Sequence, residues 1–416
     1  MKNPHSKARS FYSYFTPLFL IRKITIKKPP LKPLTKKQNE IIILGQGLSG
    51  LCTAFYLLDT YNIRPIILGL GLNHESASSV GQGVVSTKGL LIPESPLFYD
   101  KMLGSHRLPS FLSRLEALSG CRIRRHQGFF EPYKTEAQFQ KMASRIYRGQ
   151  FTGMFGVSHI APKALAGMLS DYHGAFYYPK DIWVNQKDLL FALKTYLTQR
   201  GAVFHGVRAV SLEVLKGGYR THLEGGDYLD SLGLCVCVGP DSKKLLSPFG
   251  AASSLQLSAG MTLFGRGGPH SYENDIALTS GVKSLVFHEG CFALGASSFE
   301  TPIEKSAAFF EEKKAQLLSS SPLFSLLDQH KKSPTSLEAK VGIRVKTKNR
   351  LPLMGYCGPY MEGLGLWVLT GLYKNGLQLA PVYGARLARA IKDGAAAHPH
   401  LNLSRNNIPS LDGTDL

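Results

Sequence analysis

The clearest hydrophobic pattern lies near the start of the chain, where a short apolar run, a glycine-rich turn and a longer apolar segment follow one another. The segment IIILGQGLSGLCTAFYLL occupies residues 41–58. The first run predicts a buried strand, and the longer segment predicts a helix that begins after the turn. Gly45, Gly47 and Gly50 have GxGxxG spacing. In such a unit the glycines make a tight turn, admit a pyrophosphate and let the helix pack closely, so the pattern predicts a dinucleotide site or, alternatively, an ordinary turn.

One part of the dinucleotide pattern is missing. A second strand is predicted over residues 63–68, and an acidic residue about 20 positions after the last glycine should hold the ribose hydroxyls. Gly69 stands at that place, and the nearest acid is Glu75. Either Glu75 or Asn73 reaches the ribose from the loop, or the ribose is held without a carboxylate.

Further along, helical and strand-like patterns alternate. Helical spacing predicts a helix over 108–118 and another over 187–199, which should end at Gly201. Strand-like segments cover 128–133 and 175–185, and residues 202–214 are predicted as one strand and its continuation.

Two kinds of strand follow in the second half. Residues 231–246 contain a fully apolar strand that runs into Gly239 and Pro240, which is typical of a parallel sheet covered on both faces. Residues 258–266 and 284–297 alternate between apolar and polar, which favours an antiparallel sheet. The chain therefore leaves a nucleotide-binding domain and returns to it, and no internal repeat is visible.

Charge separates the first 39 residues from the remainder. The 416 residues are 44% hydrophobic, which excludes disorder of the whole chain and allows two or three domains. The formal charge is +20; residues 1–39 hold ten Lys or Arg and no acid, which leaves 39 basic against 29 acidic residues after them. A basic surface favours polyanions such as tRNA or anionic lipid, or is simply a soluble cationic surface.

The basic leader needs its own interpretation. Its apolar part, 11–21, contains Pro17 and is about half the roughly 20 residues that span a bilayer, so we expect no stable membrane insertion. The leader is a cleaved targeting segment, a membrane-surface element or an extension without structural role. Lysines and prolines over 24–39 favour an extended linker, and folding should begin near Asn39.

The cysteines and histidines favour no metal site. The chain has no CxxC, HxxxH or HExxH pattern, and Cys235 and Cys237 lack a second pair of ligands. We interpret all six cysteines as buried thiols in a reducing, cytoplasmic compartment.

The C-terminal part carries the most specific motifs. VGIRVKTKNRLPLMG covers 341–355 and LWVLTGLYKNGLQLAPVYGARLARAI covers 366–391. They are similar to the GxRxxTxDxxPxxG and TGxxxxGxxLAP elements of the FAD-dependent D-amino acid oxidase-type family, which includes glycine oxidase, sarcosine oxidase and D-amino acid dehydrogenase. SASSVGQG, LCVCVGPDSKKLL and LSAGMTLF also resemble family segments, and the resemblance covers residues 40–391.

The resemblance implies an α/β fold, D-amino acid oxidase-like, in which a Rossmann-like FAD-binding domain is interleaved with an antiparallel-sheet substrate domain. On this division a leader and linker (1–39) and a tail (401–416) flank the fold. The FAD-binding domain takes 40–94, 187–256 and 338–400, and the substrate domain takes 95–186 and 257–337.

The resemblance also implies roles for individual residues. Arg344 would lie over the flavin and hold the substrate carboxylate, because a guanidinium offers two parallel donors; the alternative is a structural salt bridge. The adenine would meet the backbone of Val210. The cofactor-binding residues would include Gly45, Gly47 and Gly50. Beside the ribityl chain and flavin N5 would lie Ser78, Ser79, Gly81, Gln82 and Gly83. At the pyrimidine end would lie Gly371, Lys374, Asn375, Gly376 and Leu377. Either loop is otherwise a plain glycine-rich turn.

The arginine motif departs from the family pattern at one point. Asn349 and Arg350 stand where the family usually has Asp-Gly, whereas Pro352 and Gly355 are kept. The extra cation either recruits a larger anionic substrate or is a surface change without consequence.

By this resemblance the protein is an FAD-dependent oxidoreductase that passes a hydride from the carbon beside the substrate nitrogen to flavin N5, after which the imine is hydrolysed. The first substrate hypothesis is a small amino acid, glycine or a D-amino acid. The second is the carboxymethylaminomethyl-modified wobble uridine of tRNA, which the similarity of residues 293–310 to a tRNA-modifying oxidoreductase domain supports. The third is a flavin-free binding remnant, suggested by Gly69. The motifs leave the electron acceptor and the oligomeric state open.

Overall fold

A computed structural model describes residues 41–71, 76–91, 95–148, 152–161, 169, 171–266, 275–295, 297–299, 307–319, 336–358 and 365–394. Glu75, Asn73 and the basic leader lie outside the described residues.

The described helices follow the strands in alternation through much of the chain. They are α1 (Leu48–Tyr61), α2 (Ala77–Val80), α3 (Phe98–Ser119), α4 (Glu136–Tyr147), α5 (Thr152–Phe155), α6 (Gln186–Gln199), α7 (Ser242–Leu245), α8 (Ala307–Ser319) and α9 (Gly376–Asp393).

The described strands belong to three sheets. They are β1 (Ile41–Leu44), β2 (Ile66–Leu68), β3 (Val84–Val85), β4 (Arg125–Tyr133), β5 (Ser158–Ile160), β6 (Gly174–Val184), β7 (Val203–His205), β8 (Ala209–Leu215), β9 (Gly218–Leu223), β10 (Tyr228–Ser231), β11 (Gly233–Val236), β12 (Leu255–Arg266), β13 (Ile276–Ser280), β14 (Lys283–His288), β15 (Cys291–Gly295), β16 (Ser336–Thr347), β17 (Leu353–Tyr356) and β18 (Gly365–Thr370).

The first sheet is the nucleotide-binding type that the sequence predicts. Among the described residues its order is β17-β18-β11-β1-β2-β7. All neighbours are parallel except β17 and β18. β1 and β11 are fully buried, as expected for apolar strands covered on both faces. Helices α1 and α9 pack together so closely that a Cβ on Gly384 would lie 2.9 Å from the backbone of Cys52.

The second sheet is broad and mostly antiparallel. Its order is β16-β12-β15-β14-β13-β4-β6-β3, with β5 paired to β6. The long hairpin-like pairing of β12 with β16 runs from Leu255 opposite Thr347 to Arg266 opposite Ser336. One neighbouring pair, β13 with β4, is parallel. The combination of a parallel and an antiparallel sheet confirms the predicted α/β fold class.

The third sheet holds β10, β9 and β8 in that order. It corrects the expectation of one continuous strand over 202–214. β7 joins the parallel sheet beside β2, and β8 leaves it to pair with β9. Gly206 separates the two, and the sequence pattern does not show where the chain changes sheets.

Other boundaries differ from the prediction for local reasons. The second strand begins at Ile66 because Asn62 ends α1 in the left-handed conformation. The helix predicted over 108–118 extends from Phe98 to Ser119 with Pro109 inside it. β16 lies in the second sheet, although residues 338–347 belong to the predicted FAD-binding segment 338–400. The domain boundaries themselves stay a prediction.

The interpretation of all six cysteines as buried is wrong for two of them. Cys291 is exposed at the start of β15, and Cys121 is only partly buried. The other four are buried free thiols, and the Sγ atoms of Cys235 and Cys237 lie 3.6 Å apart. Within the described residues, no three His, Cys, Asp or Glu side chains are grouped so as to hold a metal ion. No described helix has the length and apolar character to cross a bilayer.

Candidate active site

The turn between β1 and α1 is closed by backbone contacts that only glycine permits. Gly45 has φ +116°, and a Cβ there would lie 2.3 Å from the carbonyl oxygen of Cys237. A Cβ on Gly50 would lie 2.0 Å from the carbonyl oxygen of Gly45. These close approaches let α1 pack directly against the sheet, which is the arrangement that a dinucleotide site requires.

Helices α1 and α9 are among the described helices that begin without a side-chain cap. Gly47, which has no side chain, precedes α1, and Asn375, whose side chain makes no hydrogen bond to the helix, precedes α9. The first turns of both helices also lack acidic residues. The positive dipole ends of α1 and α9 can therefore receive a phosphate and an electron-rich ring, which suits the central pyrophosphate and the flavin end of FAD.

The segment 76–83 is held against the start of α1. The backbone N–H of Leu48 donates to Ser78 Oγ over 3.1 Å, and a Cβ on Gly47 would lie 3.1 Å from the same oxygen. Ser76 and Ser79 form a reciprocal capping box at the start of α2. The segment thus has one fixed conformation beside the dinucleotide turn.

Gln82 fixes the other end of this segment to the second sheet. Its Nε2 donates to the carbonyl oxygens of Ser284, at 2.5 Å, and Ala293, at 3.1 Å. Trp183 Nε1 donates to the backbone oxygen of Gln82 over 2.9 Å. Because the Gln82 side chain is bonded to these two carbonyl groups, it would position a flavin indirectly, by fixing the backbone of segment 76–83.

Arg344 lies on the face of β16 that meets this segment. A Cβ on Gly342, two residues earlier, would lie 2.5 Å from Val80 Cγ2 and 3.0 Å from Ala77 Cα. Alternate residues of a strand share a face. Arg344 therefore projects toward the side on which α2 packs, where the resemblance requires it.

The guanidinium of Arg344 lies across a glycine of the neighbouring strand. A Cβ on Gly260 would come within 2.2 Å of Nη1 and 2.3 Å of Nη2. Any other residue at 260 would push the guanidinium away. Gly260 was not among the predicted site residues, although a glycine inside the alternating strand 258–266 is a signal for such a close approach.

The carbonyl of Ser297 accepts a hydrogen bond from Arg344 Nη1 over 3.2 Å. β12 pairs with β15 at Leu263 and Leu294, and Ala259 bridges Phe299, so the register of the two pairings differs by one residue. This register depends on pairing between distant segments and has no signature in the sequence.

Arg344 has no acidic partner among the described residues. Ser297 accepts its hydrogen bond through a neutral carbonyl, and no described carboxylate forms an ion pair with it. Partial burial lowers the pKa of Arg344, with Tyr373 acting in the opposite direction. A guanidinium stays charged in proteins, so this site holds a cation in need of an anion.

Tyr373 is a second residue that the sequence analysis missed. It has φ +51°, a left-handed backbone that a non-glycine residue rarely keeps. Its hydroxyl lies 3.3 Å from Ser298 Oγ, which in turn lies 3.2 Å from Ser258 Oγ. Burial raises the pKa of the phenol, but bonds to these serines and the charges of Lys374 and Arg344 outweigh it and lower the pKa.

The changed Asn-Arg pair keeps the turn after β16. Asn349 Oδ1 accepts from the backbone N–H of Leu351 over 3.1 Å and lies 2.9 Å from Thr347 Oγ1. Arg350 takes the left-handed conformation, φ +64°, where the family usually has glycine. Asparagine thus holds the turn through its oxygen, and Arg350 is exposed outside it.

Contacts connect most of the predicted site residues. Ser78 joins the segment 76–83 to α1, and the close approach at Gly342 joins it to β16. A Cβ on Gly371 would lie 3.3 Å from Thr347 Cγ2, at the end of β16. Gly371 leads directly into Lys374, Asn375, Gly376 and Leu377 at the start of α9.

Val210 lies apart from this set of contacts, in the three-stranded sheet. The register of β8 against β9 shifts between Ala209 and Ser211, so Val210 is the extra residue of a bulge. A bulged residue leaves the hydrogen-bonded ladder, which is compatible with a backbone contact to adenine.

Comparison with known proteins agrees with this geometry. The model of the family described as FAD dependent oxidoreductase matches residues 40–390. No curated protein matches the chain in sequence.

Several solved structures share the fold. Glycine oxidase from Geobacillus kaustophilus is 20% identical, with 90% of this chain and 100% of that chain covered and a TM-score of 0.71. Glycine oxidase from Bacillus cereus ATCC 14579 is 19% identical, with 86% and 98% covered and a TM-score of 0.72. Iminodiacetate oxidase from Chelativorans sp. BNC1 is 18% identical, with 85% and 95% covered and a TM-score of 0.71.

Proposed function

The chain belongs to the family of FAD-dependent oxidoreductases, and from this membership we propose that it oxidises the C–N bond of a small amino acid whose carboxylate is held by Arg344. The enzyme class and the cofactor follow from the family. The substrate and the roles of individual residues are the proposal.

The observation that carries the proposal is the unpaired guanidinium. Arg344 is partly buried, meets a neutral carbonyl at 3.2 Å and has no acid as partner among the described residues. A partly desolvated cation is stabilised when an anion completes it. A carboxylate has the matching planar shape and can accept two parallel hydrogen bonds.

The surroundings favour a small substrate amine. Gly260 lets the guanidinium of Arg344 lie against β12, and Gly342 lets α2 pack against β16 beside it. Ser258, Ser298 and Tyr373 provide a chain of hydroxyls at the neighbouring strand end. Holding the carboxylate at one end orients the carbon beside the nitrogen, which is where orientation raises the rate. The structural neighbours named for glycine and iminodiacetate support a substrate of this size.

In this proposal FAD is bound by three parts of the chain. Gly45, Gly47 and Gly50 admit the pyrophosphate, segment 76–83 lies along the ribityl chain, and residues 371–377 face the pyrimidine end. Bound FAD supplies the redox chemistry by accepting a hydride from the substrate carbon. The uncapped start of α9 stabilises negative charge at that end of the site.

Arg344→Lys tests the proposal. Lysine keeps the charge but not the two-pronged donor geometry, so one oriented, charged hydrogen bond is lost. At about 1.5–3 kcal/mol for such a bond, flavin reduction should slow by about ten- to a hundredfold. The measurement is anaerobic reduction of the holoenzyme by glycine, sarcosine, iminodiacetate and D-amino acids, with the flavin content checked for each variant.

The matched control is Arg220→Lys, the same substitution in the three-stranded sheet. Arg220 pairs with Asp230 at 2.8 Å, outside the set of contacts around Arg344. This variant should reduce its flavin at the wild-type rate. An unchanged rate in Arg344→Lys would remove Arg344 from the substrate site.

A further inference from the structure

Gln46 lies inside the dinucleotide turn, between Gly45 and Gly47, and close to the place where the acidic ribose ligand is missing. Gly69 follows β2 directly, at the position of that acid. A Cβ on Gly69 would lie 3.0 Å from Gln46 Cγ and 3.1 Å from Gln46 N. The Gln46 side chain therefore occupies the space that an acidic side chain at 69 would need.

Hydrogen bonds fix the orientation of the Gln46 amide. Nε2 donates to the carbonyl oxygens of Gly69, at 3.0 Å, and His205, at 3.4 Å. Both carbonyl oxygens can only accept hydrogen bonds, so the NH₂ group must face them. If the amide were turned over, Oε1 would face both carbonyl oxygens with no hydrogen between them. Oε1 must then point away from these strand ends.

Oε1 of Gln46 is buried and has no hydrogen-bond partner among the described residues. It lies 4.0 Å from the Cβ position of Gly71, which adds no side chain there. A buried acceptor without a donor is destabilising, and such groups in native structures usually meet a ligand or water. The ribose of a bound dinucleotide lies at this end of β2 and presents hydroxyl donors.

We propose that Gln46 replaces the missing acid, with its Oε1 accepting a hydrogen bond from a hydroxyl of the adenosine ribose of FAD. The amide reaches the ribose from the first loop of the fold, whereas the usual acid reaches it from the end of the second strand. Glu75 and Asn73 are then not needed for this contact. The inference uses only the FAD dependence of the family and is independent of the substrate.

The test compares FAD with analogues that lack one ribose hydroxyl. Gln46→Met keeps the length of the side chain and removes the acceptor. Holoenzyme is reconstituted with FAD, with its 2′-deoxyadenosine analogue and with its 3′-deoxyadenosine analogue, and each dissociation constant is measured by flavin fluorescence. The wild type should bind at least one analogue about two- to tenfold more weakly than FAD, as expected for one neutral hydrogen bond.

Discrimination between the three flavins separates a ribose contact from a purely structural role. Gln46→Met should bind FAD several-fold more weakly and should lose the preference for FAD over the analogue. Gln127→Met is the control, because Gln127 Nε2 also donates to a carbonyl oxygen, that of Pro179, at 3.0 Å on the surface; it should keep the wild-type affinities. Equal binding of all three flavins by the wild type, or an equal loss for all three in Gln46→Met, would overturn the proposal.

Discussion

At the scale of single residues, the site depends on side chains that are absent as much as on those that are present. Arg344 can lie across β12 only because residue 260 has no Cβ, and β16 can meet α2 only because residue 342 has none. Tyr373 adds the opposite feature, a large side chain on a left-handed backbone. Backbone strain of this kind is kept where the surroundings impose it, often at functional sites.

Gly260→Ala should displace the guanidinium without removing it. The new methyl group would sit 2.2 Å from Nη1, so Arg344 must move by an ångström or more. Misplacement of that size costs up to about a hundredfold in rate. We expect flavin reduction to slow by about 10- to 100-fold with normal flavin content.

The control is Gly206→Ala, since nothing lies within 4 Å of a Cβ at Gly206. This variant should behave as the wild type in the same anaerobic assay. A Gly260→Ala enzyme as fast as the wild type would show that the guanidinium position in the structure does not matter for catalysis.

At the scale of elements, the turn after segment 76–83 is fixed to the second sheet by buried charges. Lys88 Nζ lies 2.7 Å from Glu131 Oε1, and Arg145 Nη2 lies 2.5 Å from Glu131 Oε2. Tyr178 also donates to Glu131, whose side chain is only 1% exposed. Burial alone would raise the pKa of Glu131, but Lys88 and Arg145 outweigh it and lower the pKa.

Glu131→Gln should therefore destabilise the fold in a pH-dependent way. Removing one partner leaves two cations uncompensated, so we expect the free energy of unfolding to fall by about 3 kcal/mol at pH 7. The folded-state pKa is depressed, so the contribution of the carboxylate is fully present above the unfolded value of about 4.3 and is lost as pH falls through the folded pKa. Urea unfolding at several pH values should show the two proteins converging below about pH 4.

Glu213→Gln provides the exposed counterpart. Glu213 is half exposed and pairs with His222 at 3.2 Å, so its loss should change stability by under about 1 kcal/mol. A Glu131→Gln deficit that stays constant across the acid range would contradict the depressed pKa.

The sequence predicts elements well where local pattern decides them. α6 begins one residue before its predicted start and ends at Gln199 as predicted, and β1, α1 and β11 lie in the segments predicted for them, because apolar runs, glycines and helix spacing act locally. The pairing of β7 with β2, the register before Phe299 and the ion pair of Lys88 with Glu131 join segments that lie at least 40 residues apart. No short window of sequence contains both partners, so these features could not be predicted.

At the scale of the whole molecule, segment 76–83 connects the parallel sheet, which carries the glycine-rich turn, to the broad sheet, which carries Arg344. Segment 76–83 contacts α1 through Ser78 and the second sheet through Gln82. The family model covers both sheets without interruption, from residue 40 to 390. The fold and the cofactor are therefore settled at this scale, and the choice between small amino acid and tRNA is the proposal.

Ionic strength distinguishes the two substrate classes. The chain after residue 39 carries an excess of ten basic residues, which a polyanion could use. Binding of tRNA through several phosphates falls steeply between about 50 and 200 mM salt, whereas binding of a small zwitterion does not. We expect kcat/KM to change by less than about twofold over this range. A steep fall, with reduction by carboxymethylaminomethyl-modified tRNA, would favour the nucleic-acid substrate.

The most direct test of the proposed carboxylate site compares amino acids with their methyl esters. The holoenzyme is mixed anaerobically with glycine, sarcosine, iminodiacetate or a D-amino acid, and with the corresponding esters, while flavin absorbance is followed. An ester keeps the amine and the reacting carbon but removes the anion that Arg344 is proposed to hold. We predict that at least one free acid bleaches the flavin and that its ester does so at least tenfold more slowly. Equal rates for acid and ester, or no bleaching by any of these compounds, would contradict the assignment.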